Sequence, residues 1–149
     1  MALEQEVMQK MKEAMKAKDS VALASLRSIK NEILKAKTAT SNKEDMDETE
    51  ELKLVQRLVK QRKDSADVYL EQNRKDLADV ELAEVEVIEQ FLPVQLSEEE
   101  VDKEVKAIIQ ESGASTMKDM GKVMGMASQK LVGKADGKTI SKIVKDNLS

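Results

Sequence analysis

The sequence has 149 residues and a formal net charge of −4, with 25 basic and 29 acidic side chains. Aromatic residues make up 1% of it, and it contains neither cysteine nor histidine. This inventory excludes disulfides, ordinary zinc sites, thiolate chemistry and catalysis by an imidazole base. Because the core must be built from aliphatic residues and methionine, and helix-forming residues dominate, the composition predicts an all-α protein.

The amino-terminal residues show no sign of a secretory leader. Residues 1–6 carry no apolar segment behind basic residues, and no apolar run in the chain approaches the 18 residues of a membrane span. We therefore expect a cytoplasmic protein without a membrane partner. With the side-chain inventory above, we also expect no metal and no cofactor.

Two amphipathic helices are predicted before the first polar stretch. Apolar residues recur with the helical period over about residues 3–18 and again over about residues 21–37. Asp19 or Ser20 can cap the second of these helices. The polar residues 38–43 predict a loop.

A third and a fourth helix are predicted between this loop and the only proline. Asp47, followed three residues later by Glu50, resembles a capping box and predicts the start of the third helix, which continues to about Leu70. Asn73 is a candidate for the interruption between the two helices. Pro93 ends the fourth, since the residue before a proline avoids helical geometry.

The composition changes at the proline and indicates a boundary between two parts. All five glycines lie beyond Pro93. We predict an N-terminal domain of four long helices over residues 1–92 and a C-terminal domain of three helices over residues 97–149.

The second part contains the clearest helix start in the chain. Ser97 and Glu100 can form a reciprocal capping box, and the acidic first turn suits the positive end of the helix dipole. This fifth helix is predicted to stop near Gly113. A sixth is predicted over about residues 117–131, and a seventh over about residues 137–148.

Charge is distributed unevenly along the chain. Residues 1–37 have a net charge of +3, and residues 38–92 a net charge of −7. Residues 93–149 are balanced, but their last part, residues 113–149, holds seven lysines and three aspartates. The C-terminal segment of this acidic protein is therefore basic.

Gly121 and Gly125 are four residues apart and so lie on one face of the predicted sixth helix. A glycine inside a helix costs about 1 kcal/mol relative to alanine, and a close contact should offset this cost. We expect that contact to be a neighbouring helix of the same domain; close approach of a ligand is the alternative.

The loop between the sixth and seventh helices is the strongest candidate for an anion site. Gly133 and Gly137 bracket it, Asp136 can cap the last helix, and lysines surround the positive helix end. An ordinary glycine-terminated turn with solubilising lysines explains the same residues equally well. The candidate nucleic-acid-binding residues are Lys122, Lys130, Lys134, Lys138 and Lys142, and the candidate close-approach glycines are Gly121, Gly125, Gly133 and Gly137.

Three other features have a structural interpretation. The methionines at 117, 120, 124 and 126 are typical of a pliable core. The acidic residues 44–51 lack the spacing of a calcium loop and are expected to form a solvated helix start. The basic residues 61–63 alternate with acidic ones, which favours a solvated helix face.

The segments 120–125 and 133–137 resemble the tail domain that the GatB subunit of glutamine-dependent aminoacyl-tRNA amidotransferases shares with the stand-alone YqeY proteins. Residues 60–65, Arg74 with Asp76-Leu77, and residues 91–99 resemble the N-terminal and linker signatures of the YqeY family. The resemblance implies an all-helical fold in two parts and a tail that helps to hold tRNA. Family labels of this kind read carbon–nitrogen ligase activity with glutamine as amido donor, but the glutaminase subunit and the catalytic body of GatB have no counterpart in this sequence.

We therefore expect a non-catalytic adaptor whose partner is tRNA or a tRNA-handling protein complex. The alternative, from a different class, is a helical protein–protein interaction module that binds no RNA. A stand-alone ligase is the third hypothesis, and the residue inventory supports it least.

Overall fold

A computed structural model describes residues 2–39 and 46–149 of the chain. These residues form seven α-helices and one short 3-10 turn, and no strand occurs within the two described ranges. The prediction of an all-α fold with four helices followed by three is confirmed. The contacts divide the chain into two compact units, Met1–Leu92 and Pro93–Ser149. The predicted independence of the two domains stays a prediction.

The first unit begins with a helical hairpin. Helix α1 spans Ala2–Ala17 and helix α2 spans Ser20–Ala39. Asp19 caps α2, because its Oδ1 accepts a hydrogen bond of 3.0 Å from the backbone N–H of Ala22. Helix α2 continues two residues beyond the predicted end, and the rest of the predicted loop, residues 40–43, lies outside the described residues.

A second hairpin completes this unit. Helix α3 spans Glu48–Glu71 and helix α4 spans Lys75–Glu89. Asp47 caps α3 as predicted, with Oδ1 accepting from the N–H of Glu50 at 2.8 Å. Asn73 lies between the helices with φ +60°, a left-handed conformation that asparagine tolerates better than most residues. The predicted interruption is therefore a tight helix reversal.

The core of the first unit is aliphatic. Helix α3 packs along α4, α2 packs against both of them, and α1 packs chiefly against α2. Fully buried members include Val7, Leu26, Ile29, Ile33, Val55 and Ile88.

Arg62 on α3 joins three helices of this unit. Its Nε donates to Glu84 Oε2 on α4 at 3.0 Å, and its Nη2 donates to Ser28 Oγ on α2 at 2.9 Å. Its Nη1 also donates to the carbonyl oxygen of Leu58 at 3.2 Å. The side chain is only 15% exposed. The interpretation of residues 61–63 as a solvated face is therefore wrong for Arg62, because sequence alternation does not show which charges point across a helix interface.

The second unit is a three-helix bundle. Helix α5 spans Glu98–Ser112, α6 spans Met120–Lys130 and α7 spans Gly137–Leu148. The capping box predicted at the start of α5 is present in both directions, with Ser97 and Glu100 exchanging hydrogen bonds of 3.2 Å. Gly113 ends α5 with φ +72°, the usual left-handed position after a helix.

The start of the sixth helix differs from the prediction of one continuous helix from residue 117. Met117–Asp119 forms a 3-10 turn, since the carboxylate of Asp119 accepts from the backbone N–H of Ser115 at 3.1 Å and tightens the chain before α6. Met120, Met124 and Met126 pack against the core as expected, whereas Met117 is 40% exposed.

Candidate functional site

Helix α7 is strongly amphipathic. Ile140, Ile143, Val144 and Leu148 are buried in the bundle. At 100° per residue, three lysines fall on the opposite side of the helix, and all three are exposed. We call them the lysine stripe: Lys138, Lys142 and Lys145. Lys145 was not among the predicted residues, although its spacing of three from Lys142 was the signal that would have identified it.

The ammonium groups of the lysine stripe have no carboxylate partner among the described residues. Lys134, exposed in the preceding loop, also has none. Asp146 is the single carboxylate within α7, and it lies beyond 4 Å from each lysine in the stripe. These cations are therefore available to an anionic partner.

Two of the predicted lysines are engaged inside the unit. Lys130 Nζ lies 2.9 Å from Glu104 Oε2 of α5, and this hydrogen bond raises the pKa of Lys130. Lys122 Nζ lies 3.5 Å from the carbonyl oxygen of Ser112, at the C-terminal end of α5. Of the five predicted lysines, the structure thus groups Lys138 and Lys142 on one helix face and directs Lys122 and Lys130 toward α5.

The glycine-bounded loop before α7 has a structural role. The carbonyl oxygen of Gly133 accepts from Gln95 Nε2 at 2.6 Å, and that of Lys134 accepts from the N–H of Leu96 at 2.9 Å. The loop therefore holds the segment that leads into α5. Gly133 is buried with φ +78°, so its conformation explains the glycine without a ligand.

The positive end of α7 is already capped by a carboxylate. Asp136 Oδ1 accepts from the backbone N–H of Thr139 at 2.6 Å. A phosphate placed at this helix end would meet a negative group, and the backbone amides there are partly used. The outer lysines of α7 are therefore more open to an anion than its N-terminus is.

Gly121 and Gly125 do not contact a neighbouring helix. Both are exposed on α6, and a β-carbon at either position would meet no atom within 4 Å other than the helix itself. The expectation that a helix of the same domain offsets their cost is wrong. The two positions leave a smooth, open strip on α6. Gly137 is equally open.

The first unit contains a small cavity with acidic walls, of about 240 Å³. Glu6, Glu48 and Glu51 line it together with apolar residues that include Phe91. Desolvation raises the pKa of Glu51, against the hydrogen bond that it accepts from the backbone of Leu3. The described lining consists of these carboxylates and of apolar side chains.

A family model described as Yqey-like protein matches residues 4–148. The chain belongs to the YqeY family. In this YqeY-family chain the match extends over both units. Among the described residues, none of the helices has the length and apolarity needed to cross a bilayer.

Several fungal proteins are similar to this YqeY-family chain, and all are named "Altered inheritance of mitochondria protein 41, mitochondrial". The protein from Lachancea thermotolerans is 36% identical over 104 residues, covering 68% of this chain and 54% of the relative. The protein from Kluyveromyces lactis is also 36% identical over 104 residues, covering 68% of this chain and 55% of the relative. That from Vanderwaltozyma polyspora is 32% identical over 117 residues, covering 74% of this chain and 62% of the relative.

This chain spans little more than half the length of these relatives. Their names contradict the expectation of a cytoplasmic location, because each is named a mitochondrial protein. That expectation relied on the lack of a secretory leader and of a membrane span, and neither feature distinguishes the cytosol from the interior of an organelle.

Proposed function

We propose that this protein is a non-catalytic adaptor that binds tRNA, alone or within a tRNA-handling protein complex. The observation that carries the proposal is the lysine stripe of α7, whose cations have no carboxylate partner among the described residues in a protein of net charge −4. The resemblance of residues 97–149 to the tRNA-holding tail of the amidotransferase GatB subunit supports the same role. That resemblance also suggests the kind of RNA.

The second unit has separated its charges, which also supports the proposal. Residues 98–112, on α5, hold six carboxylates and two lysines, whereas residues 113–149 hold seven lysines and three aspartates. The lysine stripe on α7 therefore attracts an RNA backbone, and the carboxylates of α5 repel it. The absence of aromatic residues from this unit argues against base stacking, so that recognition depends on phosphates and on shape.

The smooth strip at Gly121 and Gly125 suits a partner that approaches the helix backbone closely. Such a strip also admits the close approach of a partner helix, and for this reason it supports the alternative function, a protein–protein interaction module. The carbon–nitrogen ligase label of the wider group is not part of the proposal. The chain has no cysteine or histidine, and nothing in its cavity replaces the missing glutaminase.

The test is a fluorescence anisotropy titration of the full chain with labelled tRNA and with an unrelated RNA hairpin of equal length. Binding should weaken with salt. Three phosphate contacts predict a slope of about −2 to −3 for log affinity against log salt concentration. Replacing all three lysines of the stripe by glutamate should abolish tRNA binding and leave the unfolding temperature nearly unchanged, because the side chains are exposed.

The matched control reverses three exposed lysines of the first unit that also lack a carboxylate partner among the described residues: Lys53, Lys60 and Lys75. It changes the net charge by the same amount and should retain most of the tRNA affinity. Equal loss of binding in both variants would show that overall charge, not the stripe, governs the interaction. If the unaltered protein at low salt binds tRNA no better than the hairpin, the adaptor proposal fails and the protein-interaction alternative replaces it.

A further inference from the structure

The outer side of the α1–α2 hairpin exposes three large apolar side chains on one surface. Met8 is 44% exposed, Met15 56% and Leu34 45%. Met11 and Leu23, on the same two helices, are half-buried against the core of the unit. We call this surface the methionine groove: Met8, Met11 and Met15 on α1, with Leu23 and Leu34 on α2.

The hairpin geometry places these residues on one surface. The helices are antiparallel, with Lys37 Nζ 2.7 Å from Glu4 Oε2 at the open end and the N–H of Asp19 2.9 Å from the carbonyl of Ala14 at the closed end. Met8 lies one helical turn after Glu4 on α1, and Leu34 lies nearly one turn before Lys37 on α2. Both therefore lie at the same level, on the flank marked by the ion pair.

Basic residues border the groove. Lys12 lies beside the groove on α1, and Arg27 and Lys30 lie on the side of α2 that faces the same way. None of these three cations pairs with a carboxylate among the described residues. Glu4, the carboxylate on the same flank, is already held by Lys37. The border is therefore positive and electrostatically unsatisfied, although the protein as a whole is acidic.

We propose that the methionine groove binds an acidic amphipathic α-helix of a partner protein. From Glu4 to Met15 the groove is about 16 Å long, the length of three helical turns. Its apolar side chains, exposed at Met8, Met15 and Leu34 and half-buried at Met11 and Leu23, suit the apolar ridge of such a helix, and methionine adapts to different side-chain shapes. Carboxylates beside that ridge meet the three basic residues of the border, so that charge selects the partner as well as hydrophobicity.

This inference does not rest on RNA binding by α7. The groove belongs to the first unit and the lysine stripe to the second, and the two surfaces share no residue. The protein can therefore fail either test and pass the other. If both pass, the chain has separate surfaces for an RNA and for a protein helix, which is what an adaptor requires.

The experiment selects from a displayed library of four-turn helical peptides on the full chain, with counter-selection on the M8Q/M15Q variant. Both methionines are exposed, so this variant should fold normally, as circular dichroism can verify. We expect the enriched peptides to carry apolar residues at i, i+3 or i+4 and i+7, flanked by Asp and Glu. A labelled enriched peptide should bind the M8Q/M15Q variant at least about tenfold more weakly than the unaltered chain.

Charge provides the decisive second arm. In the K12E/R27E variant the same peptide should lose affinity, and a version with Lys in place of its acidic residues should gain it. Enrichment of neutral or basic peptides, or binding that ignores both variants, would overturn the proposal. Two other occupants of the groove would also overturn it. The first is a second copy of the chain, shown by self-association that M8Q/M15Q abolishes. The second is a membrane, shown by Met8-dependent binding to phosphatidylglycerol vesicles when no peptide binds.

Discussion

The open strip on α6 predicts that two substitutions should stabilise the protein while impairing its function. At Gly121 and Gly125 a β-carbon meets nothing within 4 Å, and neither backbone has a positive φ. Alanine at Gly125, in the helix interior, should therefore stabilise by about 1 kcal/mol through helix propensity alone. At Gly121, in the first turn of α6, the gain should be about half of that. Together they give about 1.5 kcal/mol.

The gain is best measured by amide hydrogen exchange, because both aromatic residues, Tyr69 and Phe91, lie in the first unit and cannot report on the second. Exchange from the most protected amides of α6 and α7 should slow about tenfold in the double alanine variant. If Gly121 and Gly125 admit a partner closely, tRNA binding should weaken in this more stable protein. A slower exchange with unchanged tRNA affinity would remove the strip from the interface.

Gly113 provides the matched control for this substitution. A β-carbon there also meets nothing within 4 Å, but the residue has φ +72°. Alanine at Gly113 should therefore destabilise by about 1 kcal/mol, through the left-handed conformation alone. If alanine at Gly125 destabilised as much as alanine at Gly113, the reasoning from open space and helix propensity would be refuted.

Four further predictions concern stability and organisation. Replacing Arg62 by methionine should destabilise the first unit by about 2 kcal/mol in urea unfolding, since it leaves a half-buried glutamate unpaired. Ser97→Ala should cost about 1 kcal/mol by removing the cap of α5. The Asn147 amide and the Lys106 ammonium lower the pKa of Asp102 in the folded protein. The ionised carboxylate therefore stabilises the fold fully at neutral pH, and this stabilisation is lost as the pH falls through the folded pKa. In the Asp102→Asn variant the free energy of unfolding should therefore fall less steeply at acid pH. Brief proteolysis should cut first within residues 93–96 or 38–46, and cleavage elsewhere would count against two domains.

Local signals in the sequence predicted the helices well because each depends on residues near one another. Ser97 with Glu100, Asp47 with Glu50 and the reversal at Asn73 all form within a few residues. The 3-10 turn before α6 was not predicted, since Asp119 can either cap its own segment or begin a helix. The fold class was predictable for the same reason, and from the lack of strand-forming runs.

The side-chain partners could not be predicted because they lie across helix interfaces. Lys130 and Lys134 look alike in the sequence, yet Lys130 pairs with Glu104, twenty-six positions earlier, and Lys134 pairs with no carboxylate in the part of the chain that the structure describes. The sequence around Arg62 predicts a solvated side chain, because its partners lie on two other helices, α2 and α4. The two α6 glycines appeared to need a neighbouring helix, and only the three-dimensional packing shows that none is there.

Net charge is a poor guide to what this protein can bind. A chain of pI near 5.1 appears unsuited to nucleic acid, but electrostatic attraction acts over about a Debye length, roughly 8 to 10 Å, and a partner senses the charges within that distance. The lysine stripe spans about 10 Å along α7, whereas the six carboxylates of α5 belong to another helix of the bundle. Within the second unit, the carboxylates of α5 that form ion pairs do so with Lys106 and Lys130 and not with the lysine stripe. The remaining carboxylates of α5 should repel RNA from that helix, which adds orientation to an interaction that phosphates alone would leave unspecific.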